Sequence, residues 1–465
     1  MIFITPITAE DIEVLCNALE NLYFNKLHRP NTAPYEKELL RYWSVANTNT
    51  RPPCIFQPTL AAEVSEAVKL ISKGDVLVAI KSGGHTANDF ASTDEGLLIA
   101  LGNMDQLDYR NGRAFVGPGG RWSQVIEQLD KYNVTVVGGR IGNVGVGGLL
   151  LGGGLSFLSP QYGLAAENVL NYQVVLADGS IVNANECENP ELFFGLKGGG
   201  NQLGIVTEFT LKTYPIGLVY GGVIFYHGRY NTELLEAFET FRHKNEPKGS
   251  IVLTFTKTGD TDVAVLLVFF DGTDPGTLFE EFINIESIKL DLKIWKYAEL
   301  LKNNDDLAIA PGLGWVIRTI TYHPSPELLQ VNYRIWNETT NELLSLPNTT
   351  YGITYHLLPA SISNTTQKSV LDLESVDLIW IELANAWRNP THNNIQIFQL
   401  KTVADAVEEA KLRMNQHNGY LPLYSNDAWK DQPVLKTLKG YNHLKKVKQL
   451  YDPHNFWDRT RGFRI

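Results

Sequence analysis

The sequence has few cysteines and no excess of positive charge. Its three cysteines, Cys16, Cys54 and Cys187, are too few for a disulfide framework, and they show no metal-ligand spacing. Asp and Glu number 51 against 40 Lys and Arg, and the resulting net charge of −11 opposes binding to a polyanion. We therefore expect no metal site and no nucleic-acid partner.

The sequence also lacks a clear membrane or export segment. Residues 141–166 carry no charge, and this stretch is long enough to cross a bilayer. However, it contains Pro160 and a triple glycine, and each glycine costs a helix about 1 kcal/mol. Near the N-terminus, Glu10 and Asp11 interrupt the apolar core that a signal peptide would need. We expect no membrane association, a cytoplasmic location, and a monomer or weak homodimer.

The chain does contain enough apolar sequence for several folded units. Its 465 residues are 44% hydrophobic, which argues for two or three domains and against disorder. Short apolar runs alternate with amphipathic stretches over residues 50–214, and longer β-rich runs follow Pro215. This pattern predicts an α+β protein with one unit over 1–215, an antiparallel sheet with helices over 216–420, and a distinct C-terminal segment over 421–465.

Glycine is the residue that stands out. Nine of the 39 glycines fall in the 17 residues from Gly138 to Gly154, and smaller clusters lie at Gly83–Gly84, Gly117–Gly120 and Gly198–Gly204. Glycine loops after strands let backbone N–H groups approach an anionic ligand, although most glycine pairs are simply turns. The sequence has no Gly-Lys-Ser/Thr, and no cluster contains Gly-x-Gly-x-x-Gly, which excludes a P-loop and a Rossmann site. Several loops serving one extended ligand favour a dinucleotide.

His85 directly follows one of these clusters, in the sequence Ser-Gly-Gly-His. A neutral imidazole nitrogen is a nucleophile, so an electrophilic carbon of a cofactor could be bonded there. A structural or solvent-facing histidine is the alternative. A metal ligand would lack neighbours, because Asp89 is the one carboxylate within several residues.

These motifs occur together in a known family. In motif order and spacing, the chain resembles the berberine bridge enzyme-like flavoprotein oxidases of the vanillyl-alcohol oxidase superfamily. The match is strongest over 50–215, clear over 421–465, and limited to general layout over 216–420. The motifs that carry it are Lys81-Ser-Gly-Gly-His85, NVGVGGLLLGGGLS, YGLAAENVL, VVLADGSIVNA, ELFFGLKGGGNQLGIVTEF and YDPHNF.

The resemblance implies a two-part PCMH-type FAD-binding domain formed by both chain ends, with an inserted substrate domain of antiparallel sheet and helices. It implies FAD with one covalent link, from the flavin 8α carbon to His85. It also implies that the SGGH loop holds the pyrophosphate and that the loop over 138–148 lies along the isoalloxazine. Besides His85, the cofactor-binding residues expected on this basis are Lys81, Ser82, Gly83, Gly84, Thr86, Gly139, Gly142, Asn143, Val144, Gly145, Gly147, Gly148, Gly153, Ile205 near the adenine, and Asn426.

The chain departs from the family pattern at three informative places. Many relatives carry a second link through a cysteine at the position of Ile141, so no cysteinyl link is expected here. Val144 matches a position where valine accompanies oxidases, which implies O2 as electron acceptor and H2O2 as product. Leu155 and Asp427 replace two tyrosines that act as acid or base in relatives, so the proton acceptor is left open.

The candidate catalytic residues lie in two parts of the chain. Tyr424 and Asp427 belong to a segment expected to approach the flavin, and strand alternation would turn one of them toward the ring. Tyr355 and His356 share a predicted strand, so one of the two should face the cleft. Glu382 lies on the last long strand and is a further candidate, while Asp427 is the leading one because it replaces a family tyrosine.

The predicted function is an FAD-dependent oxidase of a small, largely apolar, secondary-metabolite-type substrate, acting by alcohol oxidation, desaturation or oxidative cyclisation. The aromatic residues of the middle region support an apolar substrate; they are Trp315, Tyr322, Tyr355, Trp380 and Trp387. An oligosaccharide oxidase, and a non-redox cyclase or isomerase that keeps FAD as a scaffold, are the alternatives.

Overall fold

The computed structural model describes residues 9–308, 312–343, 346–363 and 368–465. Among the helices in these ranges, none has the length and apolar character that a bilayer crossing needs. The helices α1 to α14, in chain order, are Ala9–Leu22, Ala33–Leu39, Val45–Thr48, Ala61–Ile71, Trp122–Asp130, Val146–Leu151, Ser159–Tyr162, Pro190–Leu196, Asn231–Lys244, Glu280–Ile283, Tyr297–Ala308, Pro326–Leu343, Asn393–Arg413 and Tyr441–Tyr451.

The first sheet is small and mostly parallel. Its strands are β1 (Leu27–His28), β2 (Cys54–Phe56), β3 (Leu77–Lys81) and β4 (Gly96–Ala100), in the order β1-β2-β4-β3. β4 pairs in parallel with β2 and β3, and all of its residues are buried. A continuous apolar run such as GLLIA suits a strand that is covered on both faces. The SGGH loop follows directly on β3 and so begins at the end of a buried strand.

The second sheet is antiparallel and carries the long glycine run. Its strands are β5 (Leu107–Arg110), β6 (Arg113–Val116), β7 (Val134–Val136), β8 (Val169–Val175), β9 (Ile181–Ala184) and β10 (Ile205–Pro215). β10 lies at the centre, where it pairs with β6, β7 and β8. The glycine run lies between β7 and β8 and contains α6, whose Val146 and Leu150 enter the core.

The third sheet is antiparallel, and within the described ranges its order is β14-β11-β13-β12-β16-β17-β15. These strands are β11 (Val219–His227), β12 (Gly249–Thr258), β13 (Thr261–Phe270), β14 (Lys289–Trp295), β15 (Gly314–Tyr322), β16 (Thr349–Leu358) and β17 (Leu378–Trp387). Helices α9, α12 and α13 cover one face of it, where they share a hydrophobic core with the strands. We call the opposite face the cavity face.

The arrangement confirms the predicted mixed α and β fold class. The predicted boundary between residues 215 and 216 falls between the end of β10 and the start of β11. The C-terminal segment returns to the first sheet, where Thr460 bridges Val78 of β3. It also contacts the glycine cluster Gly198–Gly204, since the Gln202 side chain donates to the Trp457 carbonyl at 3.3 Å.

One disulfide, between Cys16 of α1 and Cys54 of β2, was not anticipated from the sequence. The two cysteines are 38 residues apart and meet because α1 packs on the first sheet. Disulfides are rare in the cytosol, so this bond weighs against the predicted cytoplasmic location, which stays a prediction.

Candidate active site

A cavity of about 830 Å³ lies between the glycine loops and the cavity face of the third sheet. This volume is in the upper part of the range for cofactor and substrate sites. Within the described chain, its ionisable lining residues are His85, Arg140, His356, Glu382, Tyr424 and Asp427. The predicted cofactor residues that line it are Ser82, Gly83, Gly84, His85, Thr86, Val144, Gly145, Gly147, Gly148, Ile205 and Asn426.

Two glycine loops touch each other at the cavity wall. A Cβ on Gly83 would lie 2.6 Å from the Cα of Gly145, so this approach requires a residue without a side chain. The Ser82 hydroxyl joins these loops to a third one. It donates to the Pro118 carbonyl at 2.5 Å and accepts from the Gly147 backbone amide at 3.2 Å. At Gly148, by contrast, a Cβ would meet nothing within 4 Å in the described chain. The glycines therefore serve loop packing and also leave a bare surface open to a ligand.

His85 is held in the wall as a neutral ring. Burial, and then the charge of Arg121, lowers the pKa of His85 from 6.5 to about 4. Its Nε2 atom is buried and meets no hydrogen-bond partner among the described residues. Trp43 stacks on the ring with 4.7 Å between centroids, and Trp315 stacks on Trp43 at 4.3 Å. The result is a fixed imidazole with one nitrogen available for bonding.

Five predicted cofactor residues do not line the cavity, and a role in binding FAD stays a prediction for them: Lys81, Gly139, Gly142, Asn143 and Gly153. Lys81 is buried against Glu38, to which its Nζ donates at 2.6 Å. The Asn143 amide donates to the Asp305 carboxylate at 2.7 Å. Gly139 and Gly142 press against protein side chains, and Gly153 provides a turn at φ +103°. These residues support the loops on the side that faces away from the cavity.

A polar cluster of His356, Glu382 and Asp427 lies in the largely apolar cavity. His356 Nε2 is 3.7 Å from a carboxylate oxygen of Glu382 and 3.7 Å from one of Asp427. Burial, and then the charge of Glu382, raises the pKa of Asp427 well above its usual 3.8. Asp427 therefore keeps its proton toward neutral pH, while Glu382 supplies the negative charge.

Arg140 is a half-buried cation beside this cluster, with Nη1 3.1 Å from Nδ1 of His356. A guanidinium can only donate, so Nδ1 accepts and the proton of the neutral ring is on Nε2, facing the carboxylates. Burial, and then Arg140, lowers the pKa of His356 from 6.5 to about 4, which keeps the ring neutral. Ligand atoms of His356, Glu382 and Asp427 lie within 4.8 Å of one another, as in a metal site, but the charge of Arg140 opposes a second cation.

The two candidate tyrosines lie in different places. Tyr424 lines the cavity, stacks on Trp380 with 4.4 Å between centroids, and accepts from the Leu155 amide at 2.8 Å. Burial raises the pKa of Tyr424 above 10, so its phenol stays protonated. Tyr355 is fully buried in the core behind the third sheet, near Phe255. Its selection as a catalytic candidate is thereby corrected, because alternation along β16 turns His356 into the cavity.

The segment carrying Tyr424 and Asp427 is a turn and not the strand assumed for it. Ser425–Asp427 forms a short 3-10 helix, so Tyr424 and Asp427 both line the cavity. The Asn426 side chain donates to a carbonyl of the glycine run at 3.1 Å. A Cβ on Gly152 would lie 2.0 Å from Asn426 Oδ1, so this glycine makes room for the C-terminal segment.

Comparison with known proteins identifies the family. An FAD binding domain model matches residues 52–185. An uncharacterised FAD-linked oxidoreductase of Arthroderma benhamiae is 34% identical over 463 residues, which cover 94% of this chain and 92% of that protein. The chain belongs to the FAD-linked oxidoreductases. The FAD-dependent monooxygenase sdcF of Emericella nidulans is also similar, at 30% identity over 480 residues that cover 97% of this chain and 98% of that protein.

Solved structures confirm the predicted berberine bridge enzyme-like, PCMH-type fold for this FAD-dependent oxidoreductase. Physcomitrella patens BBE-like 1 superposes with a TM-score of 0.80 at 20% identity, over 97% of this chain and 99% of that one. The 6-hydroxy-D-nicotine oxidase of Arthrobacter nicotinovorans gives 0.78 at 19% identity, over 94% and 97%.

The residues of the cavity fit an FAD cofactor. The unpartnered Nε2 of His85 and the bare surface at Gly148 both belong to the glycine-loop wall. His85, Thr86, Gly147, Gly148 and Ile205 are the residues that would hold the cofactor.

Arg140 and Trp43 are site residues that the sequence reasoning missed. A signal existed for Arg140, since it directly precedes the charge-free run 141–166 within the glycine-rich loop. Trp43 had none, because it comes from the N-terminal region and reaches His85 through the fold, where its amide donates to the Gly84 carbonyl at 3.2 Å.

Proposed function

We propose that this FAD-dependent oxidoreductase is an oxidase of a small, largely apolar substrate that carries an O–H or N–H group beside the carbon to be oxidised. The observation that carries the proposal is the polar cluster of Glu382, Asp427 and His356 within a largely apolar cavity. Bound FAD would supply the acceptor for a hydride from the substrate carbon and the route by which two electrons reach O2 to give H2O2. The chain supplies the proton acceptor and the binding surface.

One covalent bond between FAD and His85 is part of the proposal. A neutral imidazole is the nucleophilic form, and the lowered pKa of His85 supports this state at neutral pH. A cysteinyl link has no donor, since Cys16 and Cys54 are joined to each other and Cys187 is exposed. Ile141 lines the cavity at the position where relatives carry the second linking residue.

Glu382 is the proton acceptor in this proposal, in place of the initially favoured Asp427. Asp427 keeps its proton because burial and the Glu382 charge raise its pKa, so it cannot easily accept another. The Glu382 side chain is 25% exposed and faces the cavity, where a substrate O–H can reach it. Asp427 then acts as a neutral hydrogen-bond donor beside the substrate.

Arg140 and His356 position this acceptor. Arg140 donates to Nδ1 of His356, and the Nε2–H of His356 points toward Glu382 across 3.7 Å. That distance is longer than a hydrogen bond, as catalytic contacts often are before the substrate binds. Before the proton is transferred, the positive charge of Arg140 offsets the negative charge of Glu382. When Glu382 takes up the substrate proton, Asp427 and His356 remain neutral.

Two alternatives deserve direct comparison. The similar proteins named monooxygenases suggest that an oxygen atom could enter the product, and labelling with ¹⁸O2 separates this outcome from peroxide formation. An oligosaccharide oxidase fits less well, because the cavity face carries many aliphatic and aromatic side chains, among them Phe225, Val265 and Trp315.

The test is anaerobic mixing of the holoenzyme with a panel of small apolar primary and secondary alcohols, followed by admission of O2. Bleaching of the flavin absorbance, and then its recovery with one H2O2 per flavin, supports the oxidase. Turnover without bleaching would show a non-redox enzyme. Bleaching that O2 does not reverse would show a dehydrogenase, against the expectation raised by Val144.

A further inference from the structure

One glycine of the third sheet has no structural reason to be a glycine. Gly352 lies in the middle of β16, where glycine weakens a strand, and its φ is outside the left-handed region. Among the described residues, a Cβ there would meet only two carbonyl oxygens, at 3.8 and 3.9 Å, which is ordinary contact.

Other glycines of the same sheet do have such reasons. A Cβ on Gly221 would lie 2.3 Å from the Val268 carbonyl, and Gly222 has a φ of +139°. Gly352 differs from both, and it lines the cavity. A strand glycine that no protein contact requires marks a place where a ligand approaches the backbone closely.

The neighbours of Gly352 extend this bare patch into a slot. Gly352 pairs with Ala384 of β17, and Ala386 lies two residues further along the same face. Ile317 and Trp315 of β15 stand opposite these two alanines and form one side of the slot. We use the name slot for Gly352, Ala384 and Ala386.

The polar cluster lies at one end of the slot. Glu382 is on the same face of β17, two residues before Ala384. At about 3.3 Å per strand residue, Glu382 lies about 13 Å from the far end of the slot at Ala386. Its floor of glycine and alanine admits a flat or unbranched group and leaves less room for a branched one.

Few side chains beside the slot are available to bind hydroxyl groups, and the exception is Thr256, which pairs with Gly352 and lines the cavity. The Thr254 and Thr354 hydroxyls pair with each other at 3.0 Å, and those of Thr258 and Thr350 pair at 2.9 Å. Along the slot itself, the described residues Gly352, Ala384 and Ala386 carry no charge and no side-chain polar group. A sugar would leave most of its hydroxyls without partners there.

From these observations we infer that the slot binds a linear or flat, uncharged hydrocarbon portion of the substrate, whose O–H or N–H end is held at Glu382. This inference deepens the proposed function and rests on it, because the bound molecule is a substrate only if the protein is the proposed oxidase. The binding surface itself can be tested without any turnover.

The probes are tertiary alcohols that carry one unbranched alkyl chain of increasing length, together with isomers in which that chain is branched. A tertiary alcohol has an O–H but no hydrogen on the carbinol carbon, so it cannot be oxidised there. Binding to the oxidised holoenzyme is read from the perturbed flavin spectrum. We expect the dissociation constant to fall about fourfold for each added methylene in the linear series. The branched isomers should gain much less.

The variant Gly352→Val fills the slot and should abolish the gain per methylene. Gly217→Val is the matched control, because Gly217 is exposed, does not line the cavity, and has no described atom within 4 Å of an added Cβ. It should bind as the wild type does.

Three results would overturn the inference: no binding by the wild type, equal gains for linear and branched chains, or an unchanged series in Gly352→Val. Loss of flavin from Gly352→Val would also overturn it, since the slot would then serve the cofactor. Failure of the anaerobic bleaching test with chain-length-dependent binding intact would refute the proposed function alone.

Discussion

The glycine-loop wall of the cavity is made mainly of backbone, whereas the sheet wall is made of side chains. In the first, Gly83 and Gly145 touch backbone to backbone, and local sequence motifs determine the shape. In the second, Glu382, Gly352 and His356 reach the cavity because every second residue of a strand faces the same side. A sequence motif can therefore predict the residues of the glycine-loop wall, but those of the sheet wall can be predicted only when the strand register is known.

The largest expected effect concerns the glycine-loop wall. Replacing His85 with alanine removes the one candidate nucleophile for a covalent link, so acid-precipitated protein should be colourless while the wild-type pellet stays yellow. Non-covalent FAD can still bind, because the glycine loops are intact. The exposed His454 provides the matched control, and His454→Ala should leave the pellet yellow. A colourless wild-type pellet would refute the covalent bond.

The next effect concerns the sheet wall. Glu382→Gln removes the proposed proton acceptor, and the rate of anaerobic flavin reduction should fall by about 10²- to 10⁴-fold. Asp427→Asn should cost about tenfold or less by the same reasoning, because Asp427 already holds its proton and an amide keeps its shape. If Asp427→Asn proves the more damaging change, the two roles must be exchanged.

Lys81 tests whether the residue directly before the SGGH motif supports the fold more than the cofactor. Lys81 and Glu38 are a buried pair, each with 1% of its side chain exposed. Lys81→Met should therefore lower the free energy of unfolding by about 3 kcal/mol, the low end for such pairs, since Arg41 remains 3.4 Å from Glu38. Urea unfolding measures this change.

The double variant Lys81→Met with Glu38→Gln removes both charges and should recover part of the stability. In both variants the flavin should stay covalently bound. A bleached pellet from Lys81→Met would return Lys81 to the cofactor site.

The smallest effect is a shift of a pH profile. Arg140 is one of the causes that hold the pKa of His356 at about 4, so Arg140→Met should move that pKa up toward 6.5. Since the cluster needs His356 neutral, the acidic limb of kcat/KM should move to higher pH by the same amount. Activity at high pH should change little. Arg140→Lys keeps the charge and should leave the limb near its original place, whereas an unmoved limb in Arg140→Met would exclude this positioning role.

The candidate site could be predicted from the sequence only in part, for physical reasons. His85 and the SGGH loop were found because the motif lies within five consecutive residues. The pairing of Lys81 with Glu38 was missed, because the two residues are 43 positions apart and the contact cannot be inferred from local pattern. Alternation limited the choice on β16 to Tyr355 or His356, and only the packing of α9, α12 and α13 decided which of them faces the core.

By itself, the sequence determined the glycine-loop wall, because glycines permit local backbone conformations and close approaches and leave a recognisable spacing. The tertiary structure alone decided the chemistry of the opposite side. Arg140 and His356 are 216 residues apart, and Asp427 joins them from a third segment. Their pKa values and proton positions depend on burial and on charges a few ångströms away, and those distances exist only after the sheet and the loops have closed around the cavity.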